Sequence, residues 1–328
     1  MQDSQLDVLK GCLQALRQGH KVTLVSVAKT WGTSPRPVGS LLAVSSNGQF
    51  YGSVSGGCVE EDLIQRLTQQ PCNKPQLIMY GETPEQRHHF GLPCGGVLQL
   101  VIEPFNDIED VTQLIHKIHA RQAIYRSIEL NTLNIQQCLW QKHHNIELSG
   151  NTWNNIFGPT WRLLIIGAGE TGQFLAQMAQ GLGYEVLVSD PRPEYRKNWP
   201  LTQLSLLEGF PDDIIADMTV DERTAIVAVA HDPKVDDMAL LTALKSEAFY
   251  VGALGSQQNN HDRRQRLQQH FGFTQAQVNR LHGPVGIYIG SKTPAEIALS
   301  ILAEMTAIKN GVSLTSSPQS LSQHACLS

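Results

Sequence analysis

Two cysteines lie in glycine-rich runs that leave the main chain bare. Cys58 sits in Gly52-Ser53-Val54-Ser55-Gly56-Gly57-Cys58-Val59-Glu60-Glu61-Asp62, and Cys94 in Phe90-Gly91-Leu92-Pro93-Cys94-Gly95-Gly96. Glycine uncovers backbone N–H groups and lets a ligand approach closely. A thiol placed there suits an anionic, metallic or sulfur-bearing partner, because thiolates bind soft metals and exchange sulfur. Val59 to Thr68 reads as a helix, so Ser55, Gly56, Gly57 and Cys58 form its N-terminal approach. Main-chain donors and the helix dipole there favour a thiolate. Glu60, Glu61 and Asp62 put three carboxylates in the same first turn, and their field opposes it. Arg36, between Pro35 and Pro37, is held stiffly enough to fork onto a phosphate.

A second anion-cradling backbone follows. Gly167-Ala168-Gly169-Glu170-Thr171-Gly172 comes after an apolar stretch and opens a helical one, with Asp190 about twenty residues on. Gly167, Gly169 and Gly172 suit a tight turn with a phosphate on the helix N-terminus. Asp190 would accept from a ribose hydroxyl, and Arg192 could take a 2′-phosphate, so NAD(P) or another nucleotide is a candidate ligand. His231-Asp232 and Gly255 fall at strand exits, where doubly wound sheets make ligand contacts; His231 and Asp232 are candidate polar groups for proton transfer or simply turn formers. Arg263 and Arg264 read as a solvated helix face.

These sites need elements to position them. Leu6, Leu9, Leu13 and Leu16 predict an opening amphipathic helix. Val22–Val27 reads as a strand. Leu41–Val44 and Phe50–Val54 flank Asn47-Gly48, a hairpin signal. Val97–Glu103 is a strand directly after Gly96. Residues 106–158 hold a helix at Thr112–Arg121 and strand-like runs at Ile124–Leu133 and Asn145–Leu148, and read as part of the first domain or a connector. Trp153–Pro159 reads as a boundary. Beyond it, Trp161–Ile166, Tyr184–Ser189, Thr224–Ala230 and Phe249–Gly255 are strands alternating with helices, which predicts a parallel doubly wound, Rossmann-like sheet. Thr293-Pro294-Ala295-Glu296 is a capping box opening the last helix. The expected organisation is an α/β chain: a smaller cysteine-bearing domain over 1–158, a Rossmann-like domain over 159–310, and a Ser- and Gln-rich disordered tail over 311–328.

Length and composition narrow the classes. The chain has 328 residues, 41% hydrophobic and 17% charged, with net charge −5, which disfavours a broad nucleic-acid surface. No apolar run reaches the roughly 20 residues that span a bilayer, and the polar start does not read as a signal peptide. The six cysteines make neither a CxxC pair nor a zinc spacing, which fits reduced thiols in the cytoplasm. Cys12 falls among helix-periodic apolar residues; Cys72, Cys138 and Cys326 have no chemical context. A nucleophile elbow, a Walker lysine and HExxH are all missing.

Five stretches together carry a resemblance. The Cys58 run, Gly91-Leu92-Pro93-Cys94-Gly95-Gly96, His231-Asp232-Pro233-Lys234-Val235-Asp236-Asp237, Phe249-Tyr250-Val251-Gly252-Ala253-Leu254-Gly255-Ser256 and Gly283-Pro284-Val285-Gly286 are similar to the XdhC/CoxI family of xanthine dehydrogenase accessory proteins. The resemblance implies a chaperone that binds the molybdopterin-type molybdenum cofactor, supports replacement of an oxo by a sulfido ligand on molybdenum, and delivers the cofactor to a xanthine dehydrogenase-type apoenzyme. It implies a cysteine desulfurase as sulfur source and a homodimer. Cys58 and Cys94 would then approach molybdenum, and Arg36 and the neighbouring glycines would hold the phosphate. Two rivals stand beside it. One is an NAD(P)-dependent oxidoreductase using the 167–172 turn and Asp190. The other is a redox-sensing protein in which Cys58 and Cys94 form a reversible disulfide.

Overall fold

A computed structural model describes residues 5–32, 36–92 and 96–313. Cys94, Gly95, Cys326 and the tail after residue 313 lie outside the described residues. The chain divides into two compact units, Met1–Thr160 and Trp161–Ser328.

The first unit runs α1 (Gln5–Arg17), β1 (Val22–Trp31), β2 (Leu41–Ser45), β3 (Phe50–Gly52), α2 (Cys58–Gln69), β4 (Gln76–Tyr80), α3 (Pro84–His89), β5 (Val97–Pro104), α4 (Ile108–His119), β6 (Ile124–Glu129), β7 (Ile135–Leu139), β8 (Glu147–Ser149) and β9 (Thr152–Phe157). An antiparallel sheet has the order β3-β2-β1-β5-β4. Alternation along its strands builds two cores. Leu24, Leu41 and Ala43 face α1 and α4. Val25, Val27, Leu42 and Val44 face Val59, Leu63 and Leu67 of α2. Both faces are covered, so β1 is buried from Val22 to Ala28, Thr23 and Ser26 included. Cys12 is sealed in the α1 core, and burial pushes its thiol up to about 12.

Residues 106–158 are not a mere connector. They hold α4 and a second antiparallel sheet, β7-β6-β9-β8. Trp153–Pro159, read as a boundary, is largely strand β9, with Trp153 and Phe157 buried. Its aromatics mark a core. Glu103 of β5 and Arg126 of β6 meet in a two-pronged ion pair at 2.9 and 2.8 Å.

The second unit runs β10 (Arg162–Ile166), α5 (Glu170–Gly181), β11 (Glu185–Ser189), α6 (Pro193–Lys197), β12 (Ser205–Leu207), α7 (Pro211–Asp217), β13 (Thr224–Ala228), α8 (Pro233–Ala243), β14 (Tyr250–Ala253), α9 (Gln257–Phe271), α10 (Gln275–Asn279), β15 (Leu281–His282) and α11 (Pro294–Lys309). Its parallel sheet has the order β12-β11-β10-β13-β14-β15. This is the doubly wound arrangement, and the strand order reverses between β10 and β13. One core packs α5 and α11 on one face; the other packs α7, α8 and α9 on the opposite face. Thr293 starts α11 with the expected capping box. Among the described residues, no helix is long and apolar enough to cross a membrane.

Candidate functional site

Strand register brings the first unit's candidate loops together. Trp31 pairs with Val97, Tyr80 with Leu98, and Gly52 with Leu42. The chain therefore leaves or enters the five-stranded sheet at one end for three segments: 32–40 with Arg36, 53–57 leading to Cys58, and 81–96, which carries Cys94. Pro93, Cys94 and Gly95 are outside the described residues; Leu92 and Gly96 are described. A side chain at Gly81 would overlap the Gly96 carbonyl oxygen and meet Leu92 Cδ1 at 3.0 Å, and Gly81 has φ +86°. The roots of the Cys94 segment thus rest on the exit of β4.

The glycine loop before Cys58 is closed by the chain's own carboxylate. Glu60 Oε1 accepts from the backbone N–H of Val54 at 2.9 Å, Ser55 at 2.6 Å and Gly56 at 2.6 Å, and Oε2 from that of Gly57 at 2.9 Å. The hydroxyls of Ser53, at 2.7 Å, and Ser55 also donate to it. Arg36 Nε donates to Ser53 Oγ at 3.3 Å, so the arginine loop is tied to the same cluster. Burial alone would raise the Glu60 carboxyl. The donors from Ser55, Gly56 and Ser53 outweigh it and hold the group down at about 2. The N–H groups read as bare are therefore engaged in this structure, and a phosphate would reach them only by displacing Glu60.

Glu60 does not act as a charge beside the thiol, because its carboxylate turns back under the loop. Asp62 accepts from the Tyr80 hydroxyl, and Tyr80 stacks edge-on against Phe90 at 4.9 Å. Burial, reinforced by Asp62, pushes the Tyr80 phenol up. Cys58, first residue of α2, is exposed, as are Gly56 and Gly57. The Gly57-x-x-Glu60 spacing was the available signal: it is that of a capping box, with glycine in place of Ser or Thr. Among the described residues, no group of three or more His, Cys, Asp or Glu is arranged to hold a metal ion.

In the second unit, Gly167 has φ +120°, and a Cβ there would lie 2.6 Å from Ala230 backbone. Gly169 caps α5, and a Cβ at Gly172 would overlap the Gly167 carbonyl oxygen. The turn thus has the close helix–strand packing expected of it. Asp190 departs from expectation. It is fully buried, accepts from Ala168 N–H at 2.8 Å, and is forked by Arg192 at 2.9 and 2.7 Å. Burial would raise its carboxyl, but Arg192 and the two amides hold it below the usual range. The ribose acceptor and the candidate 2′-phosphate binder are paired with each other, and Arg192 also stacks on Tyr195 at 3.8 Å.

His231 is exposed with φ +56°, and Asp232 caps α8 by accepting from Lys234 N–H at 2.9 Å. That geometry makes the pair a turn and cap. Arg263 and Arg264 are not a solvated face. Arg263 is buried and bonds Leu254 carbonyl at 3.0 Å; Arg264 bonds the carbonyls of Gly283 at 2.9 Å and Leu281 at 2.7 Å. Gly255, at φ +141°, leaves β14 beside an open cleft of roughly 850 Å³ that His231 also lines.

Comparison with known proteins agrees with both halves. Residues 163–305 match the XdhC Rossmann domain, and residues 15–81 match the XdhC and CoxI family. The molybdenum cofactor insertion chaperone PaoD of Escherichia coli K12 is 26% identical over 308 residues, 94% of this chain and 89% of that protein. A Bacillus subtilis 168 protein described as a probable xanthine dehydrogenase subunit is 24% identical, over 91% of this chain and 96% of its own length. A Bacillus halodurans crystal structure described as a xanthine dehydrogenase superposes with TM-score 0.71 at 23% identity, covering 96% of this chain and 98% of that one. That last likeness is one of fold.

Proposed function

The chain belongs to the XdhC and CoxI family, and from that premise we propose that it is a carrier of molybdenum cofactor. The observation that supports this most is that the Arg36 loop, the loop before Cys58, and Leu92 and Gly96 on either side of the Cys94 run meet at one end of one sheet. The cargo joins a phosphate, a polar pterin and a molybdenum held by soft sulfur. Arg36 supplies a cation for the phosphate. Cys58, exposed on a helix start, supplies a soft donor for the metal or a resting place for transferred sulfur. Glu60 braces the loop that presents the Cys58 thiol, so that loop is held in place before cargo arrives. The relative named a molybdenum cofactor insertion chaperone agrees with this reading.

The finer steps follow the same logic. While the chain holds the cofactor, a cysteine desulfurase would supply persulfide sulfur, a thiol reductant would take it to the sulfide level with two electrons, and the sulfide would replace one oxo, which leaves as water; the cofactor would then pass to a xanthine dehydrogenase-type apoenzyme. A second copy of the chain would complete a homodimer. The oxidoreductase alternative has less support, because Asp190 and Arg192 are bonded to each other instead of presented to a ribose.

The test is metal analysis of protein purified from cells that make the cofactor, followed by transfer to a cofactor-free xanthine dehydrogenase-type enzyme. Molybdenum in amounts comparable with the protein, and activation of the acceptor, are expected. Protein free of molybdenum that cannot activate the acceptor would overturn the reading.

A further inference from the structure

Asp236 lies in the first turn of α8 and is 2% exposed. A carboxylate so buried ordinarily has an ion-pair partner. Its Oδ1 accepts from Ala230 N–H at 3.0 Å, and Oδ2 receives no hydrogen bond among the described residues. The nearby cations are committed elsewhere. Arg192 is forked onto Asp190. Arg263 donates to Asp237 Oδ1 at 2.6 Å, and Arg266 to Asp237 Oδ2 at 2.7 Å. Asp237 is doubly paired, while its neighbour Asp236 has one backbone donor. Burial pushes the Asp236 carboxyl up to about 7, so a donor arriving at its open oxygen would relieve a real cost.

Asp236 lines the open cleft of roughly 850 Å³ at the C-terminal ends of β13 and β14. Doubly wound sheets take ligands at that edge. Pro233, Leu254 and Ile297 give the cleft apolar wall. Its rim charges offset one another, Lys234 and Arg266 against Asp237 and Asp262. The cleft therefore offers no net field to a strongly charged ligand. It suits a flat, neutral ring that is apolar on its faces and donates N–H groups along one edge.

We propose that this cleft binds a ring bearing the 2-amino-4-oxopyrimidine edge, with Asp236 accepting from the ring N–H and the adjacent amino group. A carboxylate matches two parallel donors, and Oδ1 keeps a second lone pair beside its bond to Ala230. Pterins and guanine share this edge. The site stands on the second unit's own geometry and does not depend on the thiol berth.

The experiment is calorimetric titration of the full chain with two matched pairs. One pair is 6-hydroxymethylpterin and 6-hydroxymethyllumazine; the other is the neutral nucleosides guanosine and inosine. Within each pair the second compound lacks the amino group. Binding of the pterin or of the guanine nucleoside is expected, and identifies the source. Its amino-less partner should bind about tenfold or more weakly. Asp236→Asn keeps the acceptor for Ala230 but turns an amide N–H toward the ligand, and should lose about tenfold or more. Asn259→Arg, at an exposed cleft position, should block entry with Asp236 intact and the melting temperature unchanged; it decides the matter if the first variant does not fold. The proposal is overturned if neither ring binds the wild type, if the amino-less partner binds equally well, or if both variants bind like the wild type. Such a result leaves the carrier reading standing, since that is read from molybdenum content and transfer.

Discussion

Glu60 and Gly56 bond across the loop they bracket, with Oε1 accepting the Gly56 N–H at 2.6 Å. The same carboxylate gathers three further amides and two hydroxyls. Its charge is therefore a structural element. The depressed value of about 2, against 4.5 for an ordinary glutamate, gives stability that is complete above pH 4.5 and lost as pH falls through about 2. Glu60→Gln should cost about 3 kcal/mol at pH 7. Urea unfolding at pH 7 and pH 3 should show the gap between variant and wild type shrinking at the lower pH.

The Glu103–Arg126 pair is a buried charge commitment of the first unit. The two side chains are 1% and 2% exposed. They join β5 of one sheet to β6 of the other, with Arg126 also 5.3 Å over the Phe105 ring. Removing one partner strands a buried charge, so Glu103→Leu should cost about 3–5 kcal/mol. Glu103→Leu combined with Arg126→Met should be less destabilised than Glu103→Leu alone. Thermal melts of the three proteins give the comparison.

Much of this fold was legible because local and tertiary demands coincide. Asn47-Gly48 closes a hairpin, Thr293 caps α11, and Gly167 to Gly172 turn from strand to helix as their chemistry requires. The misread parts are those where a partner lies far off in sequence. Trp153 looks like a linker aromatic until β6 is placed beside it. Arg263 looks solvated because helix α9 is polar nearly all round, yet Asp237 and the Leu254 carbonyl draw it inward. Asp190 has the position of a ribose acceptor, but Arg192, two residues on, reaches it first. Glu60 was visible as a charge; its role depends on a loop folded back by four amides, which spacing alone suggests only weakly.

Asp236 should make stability fall as pH rises. Its carboxyl is raised to about 7, against an ordinary 3.8, so the protonated form is favoured by folding. That contribution is fully present below pH 3.8 and is lost as pH rises through about 7. Asparagine imitates the protonated group at every pH. Asp236→Asn should therefore be more stable than wild type at pH 8, by up to about 4 kcal/mol, and equal to it at pH 3.5. Chemical denaturation at the two pH values checks both sign and size.

Cys58 should be the thiol that cargo protects. Cys12 is sealed in the core and Cys72 is buried, and burial raises both thiols, so neither should react quickly. Cys58 and Cys138 are exposed. Cys138 lies on β7, an edge strand of the second sheet, whereas Cys58 opens α2 at the end where the candidate loops converge. Brief alkylation followed by peptide mass spectrometry should label Cys58 and Cys138 ahead of Cys12 and Cys72. Protein loaded with molybdenum cofactor should lose labelling at Cys58 and keep it at Cys138. Cys58→Ala, which removes only an exposed side chain, should change the unfolding free energy by less than about 0.5 kcal/mol while lowering the molybdenum retained on purification. Equal labelling of Cys58 with and without cargo, together with unchanged metal content in Cys58→Ala, would remove the thiol from the carrier site.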